Sequence, residues 1–132
     1  MKISKSRTDL ETARLERATL KQYHEIGVPV NAASTTTFDI SSGNVFLLSQ
    51  ATDITTVNVT NPNASGIMTS ITIIRTKDNS GTSRAITWPA AFLFKGGVPP
   101  TLTQTANAVD IISAFTLNGG TTWVAFASLN MS

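Results

Sequence analysis

A chain of 132 residues, 41% of them hydrophobic, has room for one ordinary domain with a core and an appendage. Charged residues make up 14%, against roughly 25% in typical soluble domains, and Thr, Ser and Asn stand in their place. There is no cysteine, which excludes a disulfide framework and a thiolate metal site, and no apolar run is long enough for a transmembrane helix.

The net charge is +2, and its placement says more than its size. Lys2, Lys5, Arg7, Arg14, Arg17 and Lys21 crowd into the first segment with Asp9, Glu11, Glu16 and Glu25. Beyond it, Arg75, Lys77, Arg84 and Lys95 balance Asp39, Asp53, Asp78 and Asp110. A nucleic-acid surface needs a basic stripe. The later region has none, so no nucleic-acid partner is expected. The opening residues are charged and lack the apolar core of a secretion signal.

Residues 6–26 are predicted as a helix. Thr8 and Glu11 match a capping box, in which each side chain satisfies an unpaired amide of the first turn. Good helix formers fill the interior, and Arg7/Glu11 and Lys21/Glu25 pair one turn apart. Gly27 and Pro29 end the helix. Its apolar stripe is thin. Ile3, Leu10, Ala13 and Leu20 share a seam that Arg17 and His24 interrupt, and Leu15, Ala18 and Ile26 lie elsewhere. An isolated helix of this length is marginal in water. It is therefore expected to pack on sister copies, on its own β-region or on a larger assembly. Residues 27–33 read as a linker. Residues 1–29 read as a segment for attachment or oligomerisation, with Leu10, Ala13, Leu15, Arg17, Leu20 and Tyr23 as its contact residues.

From residue 36 the pattern changes to short strands. Residues 36–40 alternate, with Phe38 and Ile40 inward, and Ser41-Ser42-Gly43-Asn44 turns the chain. Val45-Phe46-Leu47-Leu48 is a continuous apolar run, as expected of a strand buried on both faces. Residues 54–60 alternate again through Val57 and Val59, and Asn61-Pro62-Asn63 with Ser65-Gly66 makes the next turn. The longest predicted strand is 67–75, with Ile67, Thr69, Ile71 and Ile73 on one face. Lys77-Asp78-Asn79-Ser80-Gly81 reads as a polar hairpin loop, from which 84–88 returns with Ile86 and Trp88 inward.

Residues 92–95 form a further short strand, followed by a rigid break at Gly96-Gly97-Val98-Pro99-Pro100. Two strands close the chain, 109–117 and 121–126, around Asn118-Gly119-Gly120. In the first, Val109, Ile111, Phe115 and Leu117 share a face opposite Ile112 and Ala114. In the second, Trp123 and Ala125 lie opposite Val124 and Phe126.

About seven or eight short strands with turns roughly every 8–12 residues indicate an antiparallel sandwich or barrel. The expected fold is mainly β: an antiparallel, jelly-roll-like β-sandwich over residues 30–132, preceded by one N-terminal α-helix. Several strands look apolar on both faces. One face fills the core and the other needs a cover, for which a subunit interface in a homotrimer is the natural candidate.

The chemistry-bearing residues are sparse. His24, the single histidine, lies on the predicted helix, away from any arrangement that would make it the base of a triad. Asp39, Asp53, Asp78 and Asp110 could in principle supply a carboxylate pair, but each sits near a turn or strand end, where Asp commonly orders the backbone. Asp78-Asn79-Ser80-Gly81 lacks the spacing and closing Glu of a calcium loop. Gly96-Gly97 lacks the Lys-Ser/Thr of a phosphate loop. Asn58 and Asn63 match the glycosylation pattern without a secretion signal beside it. No enzyme activity, cofactor or metal is expected. Trp88 and Trp123 would stack on sugar rings if exposed, but their plainer role is as core or interface anchors. The loops at Trp88, at Lys95, Gly96 and Gly97, and at Asn118, Gly119 and Gly120 are the candidate binding surface.

Five pieces, in order, resemble a β-domain of structural proteins in tailed bacteriophages, of the type found at tail-fibre C-termini and in head decoration. They are FDISSGNVFLL from Phe38, TTVNVTNPNASG from Thr55, SITIIRTKDNSG from Ser70, AITWPAAFLFKGGVPPTL from Ala85 and AVDIISAFTLNGGTTWVAF from Ala108. Together they span about three-quarters of the chain. The resemblance implies a non-enzymatic, trimeric protein on the virion surface, in contact with itself and with other capsid or tail proteins and not inserted in a membrane. The chain departs from the fibre pattern in having no long shaft. A knob of the capsid-decoration or head-fibre type is therefore the first expectation, and a tail-fibre tip recognising host surface glycan is the alternative.

Overall fold

Side chains in the β-region alternate between buried and outward positions with a period of two, the signature of a strand with one face on a core. Thr69, Ile71, Ile73, Arg75 and Lys77 point inward from one such stretch, while Ser70 and Thr76 between them are exposed. The computed structural model describes Thr19 and residues 21–132. Among these residues the strands are β1 (Gly27–Asn31), β2 (Thr35–Asp39), β3 (Val45–Gln50), β4 (Thr56–Thr60), β5 (Thr69–Lys77), β6 (Phe92–Leu93), β7 (Val109–Thr116) and β8 (Trp123–Ser128). The fold of the described residues is mainly β, with two sheets.

The larger sheet has the order β1-β3-β5-β7-β8-β6, and β2 and β4 form the smaller one. The chain passes back and forth between them: β1, β3 and β5 lie in the larger sheet, β2 and β4 in the smaller. Successive passes therefore run in the same direction. Gly27 lies opposite Val45, Val45 opposite Thr72, and Thr35 opposite Thr56, all in parallel pairings. β6 and β8 are also parallel, and only β5–β7 and β7–β8 are antiparallel. This corrects the antiparallel expectation. Parallel neighbours need a crossover between them: β2 and β4 supply it for β1–β3 and β3–β5, β3 supplies it for β2–β4, and the chain reaches β8 from β6 by way of β7. Alternation in sequence reports which face is buried, not which way the neighbouring strand runs.

Other expectations change at specific places. Lys21 to Ile26 are irregular chain, so the predicted helix does not extend to Ile26; its earlier part lies outside the described residues. Gly27–Asn31 is a strand paired with β3 rather than a linker, so the β-region begins at Gly27. Ile67 lies outside β5 and is exposed. The loop after β5 does not make a hairpin. It carries residues 84–87 to Ile54, with one parallel bridge between Ile54 and Ile86 and backbone bonds from Ile54 N to Ala85 O (3.0 Å) and from Thr87 N to Ile54 O (2.8 Å). β3 has Phe46 and Leu48 buried, but Leu47 faces out, so this strand is covered on one face within the chain.

The inward faces of both sheets meet in one core. Phe38 of β2 meets Phe46 of β3 edge to face, with ring centroids 5.2 Å apart. Val57, Leu48, Ile71, Ile73, Ile112, Ala114 and Ala125 fill the space around this contact. An aromatic group closes one side. Phe92 stacks on Trp123 at 5.9 Å, and Trp88 packs on Phe92 and Phe94 at 5.2 and 5.4 Å.

Candidate functional site

The four acids of the β-region all have framework partners. Asp110 of β7 lies directly opposite Arg75 of β5, and both side chains are fully buried. Arg75 Nη1 donates to Asp110 Oδ2 at 2.8 Å. The Thr103 amide donates to the same oxygen at 2.9 Å, and Oδ1 accepts from the Thr103 hydroxyl at 2.7 Å and the Asn130 amide at 2.9 Å. Arg75 also donates to Gln50 Oε1 at 2.6 Å and to the Thr103 carbonyl at 2.7 Å. Burial pushes the Asp110 carboxyl up. The hydrogen bonds from Asn130 and Thr103 and the charge of Arg75 outweigh it and hold the group below its ordinary pKa.

At the end of β5, Asp78 accepts from Arg84 Nη2 at 2.7 Å, Ser80 Oγ at 2.8 Å and Lys77 Nζ at 3.0 Å. Above all, the Arg84 hydrogen bond holds this carboxyl far below the carboxylate range. Asp39 caps the 3-10 turn Ile40–Ser42 by accepting from Ser41 N at 2.9 Å, and it also accepts from Asn61 Nδ2 at 2.8 Å. Asp53 accepts from the Ala85 amide at 2.9 Å. Each acid thus orders a turn, a crossing or a buried pair.

The predicted binding loops fall into separate places. Trp88 is half-buried in the aromatic group, and its Nε1 has no hydrogen-bond partner. Lys95–Gly97 is an exposed 3-10 turn in which Gly96 (φ 66°) and Gly97 (φ 73°) take consecutive left-handed conformations, which accounts for the glycine pair. Lys95 borders a groove of about 250 Å³ together with Phe94, Val98, Pro100 and residues 125–127. Asn118, Gly119 and Gly120 lie in the turn between β7 and β8. There Thr116 Oγ1 accepts from Gly120 N at 3.1 Å, and Asn118 Nδ2 donates to Thr122 Oγ1 at 2.8 Å. Gly120 borders a different groove, of about 280 Å³, with Pro89, Phe92, Trp123 and β4. The two glycine turns therefore serve two grooves, and Trp88 lines neither. Of the predicted attachment residues, Tyr23 is exposed, and Leu10, Ala13, Leu15, Arg17 and Leu20 lie outside the described residues.

Gly120 has φ +83°, and a Cβ there would meet Pro62 Cγ at 3.0 Å. Gly120→Ala is expected to lower stability by about 1–2 kcal/mol in urea titrations. Gly81→Ala, at a position with open space around it, should stay within about 0.5 kcal/mol of wild type.

The outer face of the larger sheet is a second open feature, apart from the loops. Its strands alternate, and the side chains left outward are largely apolar. Leu47, Ile74 and Ile111 form one registered row across β3, β5 and β7. Phe115, Val124 and Leu93 form a second across β7, β8 and β6. Phe126 stacks on Phe115 with centroids 6.4 Å apart. Phe126 is 59% exposed, Leu93 50% and Leu47 42%, so the described residues leave this face open. The signal was present in the sequence as strands apolar on both faces.

Comparison with protein-family models, with curated proteins and with solved structures finds no match to this chain.

Proposed function

We propose that this protein is a bacteriophage virion structural protein: a non-enzymatic knob on the particle surface, of the capsid-decoration or head-fibre type. Its two sheets pack as a sandwich, copies assemble as a homotrimer, and residues 1–26 attach it to neighbouring capsid or tail proteins. The observation that carries this reading is the division of labour among its side chains. The acids of the β-region are held in turns and buried pairs, while the open features are an apolar sheet face and loops rich in Thr, Asn and Gly. That arrangement suits assembly and display. The ordered resemblance over residues 38–126 supports the virion setting.

Deleting residues 1–26 is expected to leave a folded β-region, with unchanged β-sheet circular dichroism, that no longer joins particles in an incorporation assay. Full incorporation of the truncated protein would sink the attachment role.

One observation favours a second reading, a receptor-binding tip for host surface glycan. Lys95 stands exposed beside a groove with an apolar lining, an arrangement that offers a sugar both a charged donor and a contact surface. On that reading Lys95→Ala abolishes glycan-array or cell binding while leaving oligomeric state unchanged.

A further inference from the structure

The ionisable side chains of the larger sheet point the wrong way for a free surface. Arg75, Lys77 and Asp110 are buried, at 0%, 1% and 0% exposure, and they are the only Asp, Glu, Lys or Arg residues in its six strands. The outward positions of those strands carry apolar side chains, Ser, Thr, Asn and Gly. A face that met only water would be expected to show the reverse arrangement, because charged groups are strongly hydrated and rarely buried. We propose that this outer face is where copies of the chain pack against one another. The inference rests on the reading of the protein as an assembled surface knob and names the surface that does the assembling.

Size is consistent with that role. Six strands spaced about 4.8 Å apart, with β1, β3, β5, β7 and β8 of five to nine residues and β6 of two, give a face of roughly 24 by 20 Å. With side-chain relief this is several hundred Å², approaching the ~800 Å² that each partner contributes to a standard interface. Depletion of charge is the compositional mark of the buried centre of an interface.

The absence of charge also selects the occupant. A foreign partner is commonly chosen by complementary charges, and this face has none to offer. A second copy brings the same uncharged face and meets no like-charge repulsion. The row between Leu47-Ile74-Ile111 and Phe115-Val124-Leu93 is Val45-Thr72-Ser113-Phe126, so apolar side chains stand in all three rows and only the centre of the middle one is short and polar. The sheet edges are poor alternatives. β1 carries Pro29 and β6 is two residues long, both features that discourage edge pairing.

The test uses the full-length protein and light scattering coupled to size exclusion at tens of micromolar. Wild type is expected to run as an oligomer. Phe126→Asp and, at the other side of the face, Leu47→Asp should each shift it to monomer with unchanged circular dichroism, since both side chains are substantially exposed in the single chain. Thr37→Asp, at an exposed outward position of the smaller sheet, should remain oligomeric. If one face variant fails to fold, the other decides. A monomeric wild type, or an oligomer that survives a folded face variant, overturns the proposal. Particle incorporation by the 1–26 deletion is read separately, so loss of the attachment role and loss of the association face give different results.

Discussion

Asp110→Ala is expected to lower the free energy of unfolding by about 3–5 kcal/mol, the range seen when one partner of a buried ion pair is removed. In a domain of this size that lowers the thermal midpoint by roughly 10–20 °C. The magnitude follows from what would be stranded. The Arg75 guanidinium is fully buried and would keep only Gln50 Oε1 and the Thr103 carbonyl as partners. The amides of Thr103 and Asn130 and the Thr103 hydroxyl would lose their acceptor as well. Desolvated donors without partners outweigh the modest net worth of any one hydrogen bond. Asp110→Asn keeps the shape and one oxygen acceptor but removes the charge, and should lose less. Urea unfolding of the three proteins at pH 7 checks the order; equal stability of Asp110→Ala and wild type would refute the account.

The same carboxylate sets a pH dependence. Its folded pKa lies below its unfolded value. The stabilisation is therefore complete above the unfolded value, near ~3.9 for Asp, and is lost as pH falls through it toward the folded pKa. Asp78 and Asp39 are shifted in the same direction, chiefly by Arg84 and by Asn61. Urea midpoints should be level from pH 7 to about pH 5 and then drop. The drop should be shallower in Asp110→Asn, which has no carboxyl at that position to protonate.

Trp123→Ala should cost a further large amount, about 3–5 kcal/mol. Trp123 is 2% exposed, stacks on Phe92, and its backbone amide donates to the Ala91 carbonyl at 2.7 Å. Removing the indole opens a cavity between β8 and the 88–94 segment, whose backbone is held in place by the rest of the aromatic group. Trp88→Phe is the informative contrast. Its indole nitrogen has no partner, so the change removes an unsatisfied donor while keeping a ring, and should stay within about 1 kcal/mol of wild type. A Trp123→Ala protein as stable as wild type, but deficient in glycan binding, would instead make this residue part of a sugar platform.

The inward pattern of the strands was legible in the residues themselves. Phe38, Val57, Ile71, Ile73, Ile112 and Trp123 occupy alternating positions and are buried, because a half-covered strand enforces a period of two whatever its neighbours. The two-sided apolar character of residues 45–48 and 109–117 likewise pointed to an open face. The buried Arg75–Asp110 pair was harder to see. A charged residue in an apolar strand looks like an outward position until the register sets its opposite charge across from it. Residues 84–88 looked like a strand from Ile86 and Trp88, yet they make one isolated bridge, to Ile54, which itself lies outside the strands.

The two glycine turns were legible as turns and not as a site. Gly96 and Gly97 on one side and Gly120 on the other answer local backbone demands, and local demands say nothing about which loops converge. Composition and alternation by themselves determined that the described region is mainly β, that the acids of the β-region lie at or near turns and strand ends, and that some strands carry apolar residues on both faces. These are properties of a few neighbouring residues. Strand direction, the order β1-β3-β5-β7-β8-β6, the placing of charges inside and apolar rows outside, and the separation of the two glycine turns were decided by tertiary structure alone. Each depends on which distant segments the winding between the two sheets brings side by side, and no local pattern encodes that.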